Sequence, residues 1–124
     1  MQNGRLQTEI QQTETHPILA VTGEIDIYTA PQFSQAVVRL ISDGTLHVVV
    51  DMSGVTYMDS SGFSSLLSAT KQLRPGGGAL HLVGARPTVQ RMLHLTRLDT
   101  VIFLHPNMQE ALEATQDPST AKPN

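Results

Sequence analysis

Two short polar segments carry the side chains that could do chemistry. The denser is Asp59-Ser60-Ser61-Gly62, with Asp51, Ser53 and Thr56 upstream of it; the other is Gly23-Glu24-Ile25-Asp26. Asp or Ser at the head of a helical stretch is an ordinary N-cap. A side-chain oxygen there accepts an orphan backbone N–H, which contributes about 1 kcal/mol. The same place suits an anion, because free N–H groups and the positive end of the helix dipole converge on it. A phosphate on Ser60 would add about −1.5 to −2 charges without breaking the local fold. It would change what a partner surface meets, and Asp59 beside it would add to the repulsion. The residues fit a plain helix cap, or a serine switch that acts on binding.

Other chemistries lack their parts. His16, His47, His81, His94 and His105 supply bases for a serine hydrolase, but no Gly-x-Ser-x-Gly elbow is present. His47 and His81 fall in strands and read as structural. The five histidines are isolated in sequence and none pairs at i, i+4, so no metal site is expected. There is no cysteine, which excludes disulfides and thiolate sites. Asp51 at a strand end suggests a phospho-aspartate receiver, but the last strand ends Leu104-His105-Pro106, without the lysine a receiver needs. Gly76-Gly77-Gly78 is followed by no Gly-Lys-Ser/Thr and reads as a turn. The net charge of −3, with no Lys/Arg cluster, gives no footing for nucleic acid or an anionic membrane. No apolar run is long enough to span a bilayer, and the N-terminus lacks the apolar core of a signal peptide. The expectation is a cytoplasmic protein without cofactor or metal.

The elements that must position these segments follow from periodicity. Residues 5–12 alternate as a half-exposed strand, 13–17 turn, and Ile18-Leu19-Ala20-Val21 forms a buried strand closed by Gly23-Glu24-Ile25-Asp26. Thr29 is placed to cap a helix, with Pro31 in its first turn and Gln32 completing a capping box. Gly44 ends that helix in a left-handed conformation. Leu46 to Asp51 is a strand buried on both faces, and a short loop then leads to Asp59. The second helix carries Phe63, Leu66, Leu67, Thr70 and Leu73 on one face. A strand at 79–83, a helix from Pro87 with Val89, Met92 and Leu93, a strand at 101–104 and a helix capped by Asn107 complete the order β-β-α-β-α-β-α-β-α. Such alternation implies right-handed crossovers and a mixed, mostly parallel sheet in one α/β domain, residues 1–116. Residues 117–124 form a polar tail expected to be disordered. Functional loops in such sheets lie at the carboxyl ends of strands, which is where both polar segments fall.

The succession Gly23-Glu24-Ile25-Asp26, capped helix, Val48-Val49-Val50-Asp51, then Met58-Asp59-Ser60-Ser61-Gly62 resembles the STAS-domain anti-sigma-factor antagonists over about residues 5–115. The resemblance extends to the helix with Val89-Gln90-Arg91-Met92-Leu93. It implies that the unphosphorylated form binds an anti-sigma factor that is also a serine kinase, freeing the sigma factor. The kinase then phosphorylates Ser60 and ends binding, and a serine phosphatase resets the switch. It implies a partner-binding set of Asp26, Asp59, Ser60, Ser61, Gly62 and Ser64, and no catalytic residue. Two departures stand out. Gly62-Phe63-Ser64 replaces the family's frequent Gly-Leu-Gly, placing a hydroxyl at a partner contact. Arg97 stands where many members carry Gly; if φ is positive there, it costs about 1 kcal/mol. The alternatives are a STAS scaffold or nucleotide-sensing module that is never phosphorylated, and a serine hydrolase.

Overall fold

Five strands form one sheet in sequence order: β1 (Leu6–Gln12), β2 (Pro17–Ile25), β3 (His47–Met58), β4 (Ala79–Val83) and β5 (Phe103–His105). These come from a computed structural model that describes residues 5–116; the expected tail, 117–124, lies outside them. β1 pairs antiparallel with β2, and every later neighbour is parallel. Four helices join the strands: α1 (Ala30–Ser42), α2 (Ser60–Leu73), α3 (Pro87–Leu95) and α4 (Met108–Gln116). The expected order and mixed sheet are therefore those observed.

Because β2 to β5 advance in one direction, right-handed crossovers put α1, α2 and α3 on one face. The main core lies there. Phe33, Val37 and Leu40 of α1, Leu66 and Leu73 of α2, and Val89 and Leu93 of α3 pack on Leu19, Val21, Val48, Val50, Leu80 and Leu82. Among the described residues the opposite face receives only α4, whose Ala111 joins Ile18, Val49 and Val83 in a small second cluster. Val48-Val49-Val50 is thus buried on both faces, as its β-branched run predicts.

Several local expectations are corrected. β2 does not close at Gly23 but continues through Ile25. β3 does not end at Asp51: it runs to Met58, pairing Thr22 with Gly54, Glu24 with Tyr57 and Ile25 with Met58 across two register shifts. Each irregularity turns polar residues such as Ser53 and Thr56 outward, which in sequence resembles a loop. Gly23 makes the β1–β2 pairing possible. Its φ is +116°, and a Cβ there would lie 2.0 Å from the Arg5 carbonyl oxygen. The last strand begins at Phe103 rather than Val101, because a 3₁₀ turn at Leu98–Thr100 takes up the chain first. Leu67, expected on the core face, is 38% exposed. Gly44 has the expected left-handed φ, +93°.

Thr29 does not cap α1 with its side chain. Its hydroxyl donates to the Glu24 carbonyl at 2.7 Å and accepts the Asp26 N–H at 2.9 Å. Gln32 makes no capping box and donates to the Leu6 carbonyl at 3.1 Å instead. Asn107 caps α4 as expected, accepting the Glu110 N–H at 2.9 Å.

Candidate functional site

Asp59 caps α2. Its backbone is extended (φ −102°, ψ −169°), and its Oδ1 accepts the Ser61 N–H at 2.8 Å. The Asp59 N–H donates to the Ile25 carbonyl at 3.1 Å, which ties the head of α2 to the end of β2. The two polar segments, 33 residues apart at Asp26 and Asp59, thereby meet at one edge of the fold. Gly62 locks the contact. A Cβ at Gly62 would sit 2.4 Å from Met58 Cγ and 3.1 Å from Ile25 Cγ2, so a larger residue would push the helix head off the sheet.

Ser60 is the first residue of α2 and is exposed. Among the described residues its hydroxyl makes no hydrogen bond, since Asp59 does the capping. Ser61 is half-buried and its carbonyl accepts the Ser65 hydroxyl at 3.0 Å. Ser64 is exposed one turn on. Ser60 and Ser64 stand on the rim of a groove of about 520 Å³ between α2 and α3, whose apolar lining includes Met58, Phe63, Leu67, Met92 and Leu98. No histidine lines it.

Asp26 takes a different place from the other candidates. It is buried, and its Oδ1 accepts the N–H groups of Tyr28 at 2.9 Å and Thr29 at 3.0 Å. Its Oδ2 pairs with the Arg5 guanidinium, which also reaches Glu24 at 3.2 Å. Burial pushes the Asp26 carboxyl up, but the Thr29 and Tyr28 N–H donors and Arg5 outweigh it and hold the carboxyl below the ordinary range. The Glu24 hydrogen bond, then the charge of Asp26, raise Arg5. Asp26 therefore shapes the β2–α1 loop and does not itself face solvent. What the loop presents is Ile27, 66% exposed, and Tyr28, 80% exposed, with Arg5 over the Tyr28 ring at 5.8 Å.

Asp51, Ser53 and Thr56 do not join the site. They lie on β3: Asp51 accepts from the Ser53 N–H and hydroxyl, roughly 20 Å of strand from the helix head, while Thr56, about 10 Å from it, donates its hydroxyl to the Gly23 carbonyl at 3.3 Å. Sequence reasoning missed Arg5, whose contact with Asp26 exists only through the β1–β2 pairing. It also missed the groove, where Leu67 and Met92 are apolar but only partly covered. Their signal was available as Leu67 and Met92 at the margins of the two apolar faces.

The arrangement sets an exposed hydroxyl at a positive helix end, beside an apolar groove and an apolar loop tip. The STAS domain family profile matches residues 7–111. The anti-sigma-B factor antagonist of Staphylococcus aureus strain NCTC 8325 is 28% identical over 85 residues, covering 68% of this chain and 79% of that protein. The crystal structure of an anti-sigma factor antagonist from Mycobacterium paratuberculosis has a TM-score of 0.81 and 31% identity, covering 90% of this chain and 95% of that one. The phosphorylated form of the Bacillus cell fate determinant SpoIIAA shares the fold, with a TM-score of 0.69 and 19% identity, covering 88% of this chain and 99% of that one.

Proposed function

The chain belongs to the STAS domain family, and from that premise we propose that it is an anti-sigma-factor antagonist switched at Ser60. Unphosphorylated, it binds a cognate anti-sigma factor that is also a serine kinase, and the sigma factor is released. Phosphorylation of Ser60 ends that binding, and a serine phosphatase restores it. The protein works in the cytoplasm, without cofactor or metal. The names of its relatives support the class of partner. Among the described residues, no helix is long and apolar enough to cross a membrane.

One observation carries the assignment of the switch: Ser60 is exposed at the head of α2, outside the capping bond and on the rim of an apolar groove. The helix end tolerates the dianion, so phosphorylation leaves the fold standing. A partner side chain seated in the groove tolerates it poorly. Closing an apolar contact beside a phosphate strips water from a charge that has no countercharge, and such desolvation is costly. Asp59, next to it, adds like charge. Partner contacts at Ser61 and Ser64 belong to the same face, while Gly62, packed on Met58 and Ile25, acts by seating the helix head and Asp26 through the loop it holds.

The test is incubation with the cognate kinase and ATP. Wild type gains one phosphate and Ser60→Ala gains none. A phosphate that persists in Ser60→Ala, or maps to Ser61 or Ser64, overturns the assignment. Loss of kinase binding in Ser60→Asp with unchanged thermal stability supports it.

A further inference from the structure

Four histidines far apart in the chain meet at the sheet. His47 on β3, His81 on β4 and His105 on β5 form a ladder, with His47 Nδ1 3.0 Å from His81 Nε2 and His81 Nδ1 2.9 Å from His105 Nε2. His16, just before β2, donates from Nε2 to the His47 carbonyl. The His81 ring stacks on Phe103 at 4.6 Å, and the His105 ring lies near-parallel to it, edge to edge, with centroids 5.1 Å apart. His81 is fully buried, on the face where Val49 and Val83 carry α4. Both of its nitrogens are committed to neighbouring rings, so the three rings cannot converge on one metal ion.

Each ring-to-ring contact holds one proton, donated by one nitrogen and accepted by the other. Neutral His81 must donate on one side and accept on the other, so the ladder has a direction. Three neutral rings carry three ring protons: one in each of the two contacts, and one on an outer nitrogen. The other outer nitrogen has room for a fourth. A fifth would put two protons in one contact, where donor faces donor, and the contact breaks.

The surroundings favour the empty state. Burial drives His81 down to about 3, with His105, His47 and His16 adding to the shift. Burial, then His16, lowers His47. Burial lowers His105, and only Glu110 of α4 opposes it. Asp51, farther along β3, is held by Ser53. All three folded values lie below the ordinary 6.5, so an opened state binds more protons. Stability is complete above about pH 6.5 and is lost as pH falls from there toward the folded values.

We propose that the His47–His81–His105 ladder is an acid-triggered release for α4: it takes one proton intact and frees the helix when a second binds. α4 is the element that gives way because it rests on the small second cluster and begins just after His105 and Pro106. His47 and His105 are only half-buried, and lifting α4 uncovers the face on which His81 is buried. This inference stands apart from the reading of Ser60.

Hydrogen exchange on the whole chain from pH 7.5 to 5.0, corrected for intrinsic rates, tests it. Protection of α4 amides falls at least tenfold per pH unit once opening is linked to net uptake of one proton. Protection in α1 and α2 holds. His81→Leu, similar in size, removes the dependence. An equal pH response in His81→Leu, or a parallel loss in every helix, overturns the proposal. Ring ¹⁵N spectra of wild type give a check that needs no variant. At pH 7.5 the directional ladder requires one common tautomer for His47, His81 and His105; mixed tautomers overturn it.

Discussion

Replacing Asp59 and Ser60 separately by Ala divides the cap from the proposed switch. Asp59 Oδ1 accepts the Ser61 N–H at 2.8 Å, the only side-chain cap on α2. Losing an N-cap oxygen costs about 1 kcal/mol, and losing a negative charge at a helix N-terminus about 0.3–1 kcal/mol, partly the same interaction. Asp59→Ala should therefore cost about 1–2 kcal/mol. Ser60→Ala removes an exposed hydroxyl that bonds to none of the described residues, and should stay within about 0.5 kcal/mol. Ser60→Asp adds a charge that the helix dipole favours and Asp59 opposes, so it too should stay within about 0.5 kcal/mol. For a domain of this length about 1 kcal/mol shifts Tm by roughly 4 °C. Asp59→Ala should melt roughly 4–8 °C lower, and the Ser60 variants close to wild type. The chain has no Trp, and Tyr28 and Tyr57 are 80% and 52% exposed, so far-UV circular dichroism is a better probe than fluorescence. Ser60→Ala melting as low as Asp59→Ala would make Ser60 part of the fold and refute the division. So would an Asp59→Ala variant indistinguishable from wild type.

Arg97 sits at φ +63°, the only positive φ at a described residue other than glycine. The left-handed conformation costs an L-residue about 1–2 kcal/mol, and the greater chain entropy of Gly returns about 0.5–1. Arg97→Gly should raise stability by about 0.5–1 kcal/mol, and a lowered urea midpoint would contradict this. Gly23→Ala should cost at least about 2 kcal/mol, because its Cβ meets a backbone oxygen at 2.0 Å and φ is +116°. Urea unfolding checks it; a midpoint equal to wild type would show that the β1–β2 pairing does not depend on Gly23.

Much of the fold was legible because its signals are local. The alternation of Leu6, Thr8 and Ile10, the Val48-Val49-Val50 run and the Pro and Gly stops report strand and helix directly. The Asp59 cap was readable for the same reason: cap and acceptor N–H are two residues apart. Reading failed where pairing overrode local character. Ser53, Gly54, Thr56 and Tyr57 look like loop, yet the bulged ladder with β2 holds them in β3. Thr29 looks like a cap, yet Glu24 and Asp26 claim its hydroxyl from across the turn.

By itself the sequence determined the order of the elements, the class of fold and an Asp-Ser-Ser-Gly segment at a helix head. These depend on periodicity, turn chemistry and short spacings. Tertiary structure alone decided what the sheet brings together: Arg5 against Asp26, Asp59 against Ile25, Leu67 and Met92 across one groove, and three isolated histidines in one hydrogen-bonded ladder. The physical reason is that register sets these contacts. A strand pairing places residues side by side whatever their distance along the chain, and no local pattern records which partners it will choose.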